Sequence, residues 1–215
     1  MARLPGSAGA HVRPPLQMPE ATVAVHPWPD SHHLLATASD AGPDLIVISV
    51  VTPDSTLRDL ARAQLRGALR EVLGWQFERA PEAIALVSVP GQAMRVDLTG
   101  QRIGLSASHE AGLSVAAIRR HGPVGIDIMR LPPAFDWQPA ARDYLGPQAL
   151  HRIAGQPEHE QLQAFAREWT RLEAGLKCLG IGLQEWSQAL AQRLESCCLT
   201  ALDLPAGLCG AVACR

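Results

Sequence analysis

The sequence predicts an α+β protein made of two similar halves. Short apolar, β-branched runs typical of strands occur throughout the 215 residues, and each half also contains one long helical pattern. A polar segment at residues 119–123 lies between the halves. We therefore expect a pseudo-duplicated two-lobe architecture, with a disordered lead-in at residues 1–20, an N-terminal lobe at residues 21–120 and a C-terminal lobe at residues 121–215.

In the N-terminal half, apolar and β-branched residues predict several short strands. The predicted strands are residues 21–25, 45–51, 83–89, 95–98 and 103–105. Asp54 or Ser55 is a residue type that begins helices, and apolar residues recur at helical spacing from Leu57 as far as Gly74. One long helix is therefore expected between the second and third strands.

In the C-terminal half, a strand that carries one carboxylate among apolar residues is expected at residues 124–129. One or two helices should fill residues 139–154. The longest helical pattern runs from Glu158 to Leu179 and ends before Gly180, a residue type that commonly terminates helices. The remaining segment, from Leu190 to Cys214, alternates enough to supply closing strands.

Composition and charge exclude several classes of protein. The net charge of −2 argues against a nucleic-acid-binding protein, which normally presents a basic surface. No stretch reaches the length of a membrane span, and the N-terminal residues lack the apolar run of a secretory signal. The five cysteines all lie in the last quarter, and their odd number and spacing fit reduced thiols rather than disulfides or a zinc site. We therefore expect a cytoplasmic protein that binds neither nucleic acid nor membrane.

Lys177 is the only lysine among nineteen basic side chains. A lysine kept in an arginine-rich chain is of interest because lysine can lose its proton, whereas arginine stays protonated. On the predicted helix, Glu173 lies one turn before Lys177 on the same face, and Trp169 shares that face, which favours burial or a cleft. Two interpretations stay open at this point: an ordinary surface ion pair, or a functional site.

Asp127 is the carboxylate in the predicted strand at residues 124–129. A buried and unpaired carboxylate would cost several kcal/mol, so Asp127 must be paired, exposed at a strand end, or bound to a cation. Together, Asp127 and Glu173 would form a hard oxygen site suited to Mg²⁺. A salt bridge from Asp127 to one of the arginines is the open alternative.

Ser108-His109 precedes an apolar run at residues 113–118. His109 could be a general base, a phosphate contact or a core histidine. The chain lacks the GxSxG pattern of serine hydrolases and the glycine-rich loops of P-loop and dinucleotide-binding proteins. A serine hydrolase therefore has little support from the sequence.

Taken together, these residues resemble the signature of the 4′-phosphopantetheinyl transferase superfamily, in its larger pseudo-dimeric type, which acts on peptide and polyketide synthases. In chain order, the matching motifs are Arg62-Ala-Gln-Leu-Arg66, Ser108-His109, Gly125-Ile126-Asp127-Ile128 and Trp169-Thr170-x-x-Glu173-Ala174-x-x-Lys177-x-x-Gly180. Their order and spacing agree from about Leu57 to Gly182, which is more than half of the chain. The last motif is fairly specific, and the others gain weight together.

The resemblance implies the fold of that superfamily and a reaction. The protein would transfer the 4′-phosphopantetheine group of coenzyme A to a serine of an acyl or peptidyl carrier protein, in a cleft between the lobes. Asp127 and Glu173 would hold Mg²⁺ at the pyrophosphate of coenzyme A. Lys177, catalytic together with Glu173, would either deprotonate the carrier serine or stabilise the leaving phosphate, and a lowered lysine pKa would favour the first role.

The resemblance also implies binding partners. His109 and Ser108, with Arg58 and Arg66, would bind coenzyme A, with His109 at its 3′-phosphate. The carrier protein is expected to be acidic, so arginines at the rim of the cleft would steer it. The protein is expected to be a monomer with pseudo-twofold symmetry.

The chain departs from the family pattern at four places. Met129 stands where many members have a second acid, Ser106 replaces an Asn before the Ser-His motif, Glu110 follows His109, and Gly91-Gln92-Ala93 replaces a Gly-Lys-Pro loop that touches coenzyme A. The loss of the Gly-Lys-Pro loop and of the second acid favours an alternative in which a degenerate member binds coenzyme A or a carrier protein without catalysis. The retained acids and the single lysine oppose it.

A metal-dependent nuclease is a further alternative, which the acidic net charge disfavours.

Overall fold

The computed structural model describes most of the chain. The described residues are 21–30, 44–53, 58–89, 92–98, 100, 102–131 and 133–215. Within them the chain forms two four-stranded sheets, a small two-stranded sheet and several helices, so the predicted α+β class is confirmed. The expected lead-in and the helix start at Asp54 or Ser55 lie outside the described residues. Among the helices in the described part of the chain, none combines the length and apolar character that a membrane crossing needs.

The first half contains most of the strands. Its elements are β1 (Thr22–Val23), β2 (His26–Pro27), β3 (Leu45–Val51), α1 (Arg58–Gln76), a 3₁₀ turn (Pro81–Ala83), β4 (Leu86–Val87), β5 (Arg95–Val96), β6 (Gly104–Glu110) and β7 (Leu113–Arg119). The elements of the second half are β8 (Val124–Arg130), α2 (Gln138–Ala140), a π-helical turn (Ala141–Leu145), α3 (Gly146–Ala154), α4 (Glu158–Leu179), α5 (Gln188–Leu194), β9 (Cys198–Leu202) and β10 (Leu208–Cys214).

The strongest predicted elements are confirmed at their predicted ends. β3 spans residues 45–51, and α4 spans the predicted helix from Glu158 to Leu179. Gly180 ends α4 with a positive φ of 65°, and its N–H donates to the carbonyls of Leu176 and Lys177. Glycine adopts this left-handed conformation without the strain that a side chain would cause.

Other predictions are wrong in their extent. The expected strand at residues 83–89 is reduced to β4, because a 3₁₀ turn that starts at Pro81 occupies its first position. The expected strands at residues 21–25 and 95–98 are reduced to two residues each. The segment from Leu190 to Cys214 is expected to supply closing strands, but its first residues belong to α5. The Ser187 hydroxyl caps this helix by accepting a hydrogen bond from the N–H of Leu190 at 3.2 Å.

The two halves share one topology. In the first half, β3, α1, β6 and β7 form a strand, a helix and a hairpin, and β7 lies between β3 and β6. In the second half, β8, α4, β9 and β10 repeat this order, with β10 between β8 and β9. This repeat supports the expected pseudo-duplication. The lobe boundary at residue 120 stays a prediction, and β1 crosses it by pairing with β9 in the second sheet.

Alternate residues of the sheets face different cores, as the pleat of a strand requires. In β3, Ile46 and Ile48 pack in the core that α1 covers, whereas Val47 packs against the second sheet. In β8, Ile126 contributes to that shared core between the sheets, and its neighbour Asp127 points to the opposite face, where α4 lies. The layers are therefore α1, the first sheet, the second sheet and α4.

β6 and β8 lie side by side without a backbone ladder between them. The Ser106 hydroxyl accepts a hydrogen bond from the N–H of Ile126 at 3.1 Å, and the Ser108 hydroxyl accepts one from the N–H of Ile128 at 3.2 Å. A side chain at Gly104 would collide with the backbone of the turn before β8. Two serine hydroxyls therefore take the place of strand carbonyls and join the two sheets.

Candidate active site

A cleft of about 360 Å³ lies between α1, β6 and the end of α4. This volume falls within the range of small-molecule sites in proteins. Its charged and titratable side chains are Arg62, Arg66, His109, Glu173 and Lys177, and its apolar wall includes Leu65, Met94, Leu105, Ile181 and Leu183. Residues from both halves of the chain therefore line one cleft.

Gly125 allows α4 to lie directly on β8. A Cβ atom at this position would collide with the carbonyl oxygen of Ala174 and the backbone nitrogen of Cys178. Beside this contact, Ala174 of α4 belongs to one buried cluster with Ala211 and Ala213 of β10. The helix therefore lies close enough to the strand for its side chains to reach Asp127.

Lys177 and Asp127 form an ion pair across that contact. Lys177 Nζ donates to Asp127 Oδ1 at 2.7 Å and to the carbonyl oxygen of Ile126 at 3.0 Å. The side chain of Asp127 is 12% exposed and that of Lys177 is 32% exposed. The alternative of an arginine partner for Asp127 is therefore wrong, and Lys177 pairs with Asp127 rather than with Glu173 one turn earlier.

Ser108 contacts the same carboxylate from β6. Its hydroxyl donates to Asp127 Oδ1 at 2.9 Å while it accepts the N–H of Ile128. Lys177 also donates to Oδ1. Asp127 Oδ2 therefore receives neither donor, and it accepts no hydrogen bond from the described residues. Ser108 is 7% exposed and does not line the cleft. Its expected contact with coenzyme A stays a prediction.

Glu173 faces the cleft from α4 with a perturbed carboxyl group. Partial burial raises the pKa of Glu173, the negative charge of Asp127 raises it further, and the Lys177 ammonium offsets part of the shift. The ionised form of Glu173 is therefore disfavoured while no metal cation is bound beside it. Two carboxylates that repel each other beside a cleft form an arrangement that a hard dication stabilises.

His109 lies on β6 in a positive environment. Burial lowers the pKa of His109, and the positive charges of Arg62, Lys177 and Arg58 lower it further. The ring keeps an exposed face, and its Nδ1 lies 2.7 Å from Ser114 Oγ. The cleft therefore presents a neutral imidazole among cations, and such a positive potential favours an anionic ligand.

Arg58, Arg62 and Arg66 are spaced four residues apart on α1, so they lie along one face of the helix. Arg62 and Arg66 line the cleft, and Arg58 acts on His109 through its charge. The family resemblance implies coenzyme A contacts for Arg58 and Arg66, and the four-residue spacing adds Arg62, which the matching helix motif also contains. Ser114, which is fully buried beneath the ring of His109, was missed and has no local sequence signal.

The residues that depart from the family pattern lie in different surroundings. Of Gly91-Gln92-Ala93, the last two residues line the cleft and the first lies outside the described residues. Met129 is partly buried and packs against the cluster that contains Phe165. Trp169 belongs to the same cluster, with its ring centroid 5.7 Å from that of Phe165. The family's second acid would therefore have to replace apolar packing in this chain.

The donor set fits Mg²⁺ only if other ligands complete the coordination shell. Within the described ranges, no group of three or more His, Cys, Asp and Glu side chains converges to hold a metal. Asp127 and Glu173 supply two carboxylates, and Mg²⁺ in proteins is commonly bound by one or two carboxylates with water and substrate phosphates. These residues therefore fit a Mg²⁺ site that substrate completes, and they do not fit a preformed structural metal site.

Comparisons with known proteins find the same similarity that the motifs indicate. Residues 123–198 match the 4′-phosphopantetheinyl transferase superfamily, and this segment contains Asp127, Glu173 and Lys177. The 4′-phosphopantetheinyl transferase HetI of Nostoc sp. (strain PCC 7120 / SAG 25.82 / UTEX 2576) is 28% identical over 123 residues, which are 55% of this chain and 51% of that protein. The chain therefore spans about half the length of the curated relative that it matches. Both findings agree with the motifs: residues 123–198 are similar to the 4′-phosphopantetheinyl transferase superfamily, and the chain is similar over about half its length to one of its curated members.

Proposed function

We propose that the protein transfers the 4′-phosphopantetheine group of coenzyme A to a serine of an acyl or peptidyl carrier protein, with Mg²⁺ as its cofactor. The observation that carries this proposal is the ion pair between Lys177 and Asp127 beside Glu173 at the cleft. Buried ion pairs add little to stability after desolvation is counted, so stability alone does not account for this cluster. Its position in the matched segment supports a catalytic role.

The arginine face of α1 supplies the phosphate-binding side of the proposed site. Arg62 and Arg66 line the same cleft as Glu173, Lys177 and His109. Coenzyme A carries a 3′-phosphate and a pyrophosphate, and charge-assisted hydrogen bonds to such groups are roughly twice as strong as neutral ones. The apolar wall at Leu105 and Ile181 suits the less polar pantetheine arm.

In the proposed reaction, the carrier serine oxygen bonds to the phosphorus that bears the pantetheine arm. The phosphoanhydride bond breaks, and adenosine 3′,5′-bisphosphate leaves. Asp127 and Glu173 would hold Mg²⁺, which would supply positive charge at the pyrophosphate. Lys177 acts in one of two ways, as the acceptor of the serine proton or as a cation beside the leaving phosphate.

A degenerate member that binds without catalysis is the second candidate. Met129 favours it, because this side chain is committed to apolar packing where many members carry an acid. The remaining properties expected from the sequence, namely an acidic carrier, a monomeric state and a cytoplasmic location, belong to the proposal and await measurement.

Intact-mass spectrometry of an apo carrier protein tests the proposal. The carrier is incubated with the full chain, coenzyme A and Mg²⁺, and a carrier with its acceptor serine changed to alanine serves as the control. We expect a mass gain of one phosphopantetheine group on the intact carrier alone. No gain across several types of carrier, with coenzyme A binding still seen by calorimetry, would overturn the enzyme proposal and support the second candidate.

A further inference from the structure

We infer that Ser108 is a positioning residue for Asp127, through the hydrogen bond that its hydroxyl donates to Oδ1, and that it is not a ligand of coenzyme A. This inference rests on the proposed function, in which Asp127 is a Mg²⁺ ligand. It replaces the contact with coenzyme A that the sequence led us to expect.

The hydrogen-bonding capacity of Ser108 excludes a phosphate contact. A serine hydroxyl has one proton to donate, and a phosphate oxygen can only be bound through that proton. In Ser108 this proton is donated to Asp127 Oδ1 at 2.9 Å, and the same oxygen accepts the N–H of Ile128 at 3.2 Å. The residue is also 7% exposed and lies behind the cleft surface.

The two donors to Asp127 come from different elements of the fold. Ser108 reaches Oδ1 from β6, and Lys177 reaches it from α4. Two donors on one oxygen fix the rotation of the carboxylate, so that Oδ2 is left for a cation. Groups that orient a metal ligand in this way commonly change metal affinity by about 10–100-fold when they are removed.

Ser106 provides a control in the same strand that is matched in its hydrogen bond to β8, although Ser106 lines the cleft and Ser108 does not. It is 8% exposed, and its hydroxyl accepts the N–H of Ile126 at 3.1 Å, as Ser108 accepts that of Ile128. Among the described residues, Ser106 donates to no carboxylate. Loss of either hydroxyl leaves one buried N–H of β8 without its acceptor, so the structural cost should be similar. Only the loss at Ser108 should also disturb Asp127.

The experiment compares Ser108→Ala, Ser106→Ala and Ser108→Thr in the full chain. Mg²⁺ is titrated by calorimetry into protein saturated with coenzyme A in the absence of carrier, the melting temperature is recorded, and kcat and KM for coenzyme A are measured with a carrier protein. We expect both alanine variants to melt lower by similar amounts. Ser108→Ala should weaken Mg²⁺ binding by about tenfold or more and lower kcat with little change in KM for coenzyme A. Ser106→Ala should keep its Mg²⁺ affinity within about twofold, and Ser108→Thr, which retains the hydroxyl, should restore much of the loss.

Equal Mg²⁺ affinities in the two alanine variants would overturn the inference. It would also be overturned if Ser108→Ala raised KM for coenzyme A with Mg²⁺ binding intact, since that result is expected of a direct ligand. If Ser108→Ala does not fold, Ser108→Cys and Ser106→Cys give the same comparison with a weak donor of similar size. Absence of Mg²⁺ binding to the unaltered protein saturated with coenzyme A would also overturn it. If the unaltered protein binds Mg²⁺ but transfers no phosphopantetheine, only the proposed function is overturned. The inference about Ser108 can still be tested, because calorimetry compares the Mg²⁺ affinities of the serine variants without turnover.

Discussion

Lys177 Nζ lies 2.7 Å from Asp127 Oδ1, and this hydrogen bond joins residues fifty positions apart in the chain. One partner lies on a strand whose other face belongs to the shared core, and the other lies on a helix that Gly125 allows to approach that strand. The proposed catalytic cluster therefore depends on the same close contact that holds α4 against the second sheet.

Replacement of Lys177 by arginine separates a reactive lysine from a positive charge. If Lys177 accepts a proton or lies against the transferring phosphate, Lys177→Arg should lower turnover by roughly a hundredfold or more, because a guanidinium does not deprotonate and is bulkier than an ammonium. The melting temperature should change little, since arginine can keep the ion pair with Asp127. Carrier modification rates measure the effect, and the exposed exchange Arg193→Lys on α5 is the control. Near-normal turnover in Lys177→Arg would assign the lysine a structural role.

Removal of the charge of Glu173 should stabilise the protein in the absence of metal. Burial and the charge of Asp127 raise the pKa of Glu173 in the folded state above its unfolded value. Ionised Glu173 therefore destabilises the fold above the folded pKa, and this effect disappears as the pH falls through the unfolded value. Glu173→Gln should consequently melt a few degrees higher than the unaltered protein at pH 7 without Mg²⁺, and not higher at pH 3.5, which lies below the ordinary glutamate value.

Glu168→Gln is the matched control for that experiment. Glu168 lies on the same helix and is paired with Arg152 at 3.0 Å, so its replacement should not raise the melting temperature. Added Mg²⁺ should raise the melting temperature of the unaltered protein more than that of Glu173→Gln. A lower melting temperature for Glu173→Gln at pH 7 without metal would show that the charge of Glu173 is already compensated.

An alanine at Gly125 should separate α4 from β8. Its Cβ would collide with the backbone of α4, so we expect a loss of about 2–3 kcal/mol in the free energy of unfolding, together with loss of activity. Gly67→Ala is the control, because nothing lies within 4 Å of a Cβ there and alanine in a helix is favoured by about 0.5–1 kcal/mol. Chemical denaturation measures both. Equal free energies of unfolding for the two variants would mean that the backbone of α4 does not lie against Gly125.

His109 should make coenzyme A binding depend on pH. Burial and the nearby cations lower its pKa, so the ring is neutral at pH 7.5, and a bound phosphate favours its protonation. Affinity for coenzyme A, relative to dephospho-coenzyme A, should therefore increase as the pH falls from about 8 to about 6.5, a range set by the ordinary histidine value. Calorimetry with both ligands measures this difference. In the control variant His109→Gln, the ratio of the two affinities should not change with pH. An unchanged ratio in the unaltered protein would show that His109 does not contact the 3′-phosphate.

Local patterns in the sequence predicted the elements that carry the site better than they predicted its contacts. The ends of α4 were predictable because apolar residues recur at helical spacing and Gly180 closes the helix. The strand with Asp127 was predictable from its apolar alternation. The bridging hydroxyls of Ser106 and Ser108 were not, because they join strands twenty residues apart, and no local pattern indicates which strands will be neighbours. The short helix α5 was missed because seven residues give too little periodicity to recognise.

The most direct test of the central claim is the rate of carrier modification by Asp127→Asn and Glu173→Ala at saturating coenzyme A and ordinary Mg²⁺. Asparagine keeps the size of Asp127 and can still accept a hydrogen bond from Lys177, so the fold should persist in the melting curve. We expect neither variant to show turnover above background, because each removes one of the two carboxylates proposed to hold Mg²⁺. Turnover equal to that of the unaltered protein in either variant would contradict the proposed Mg²⁺ site.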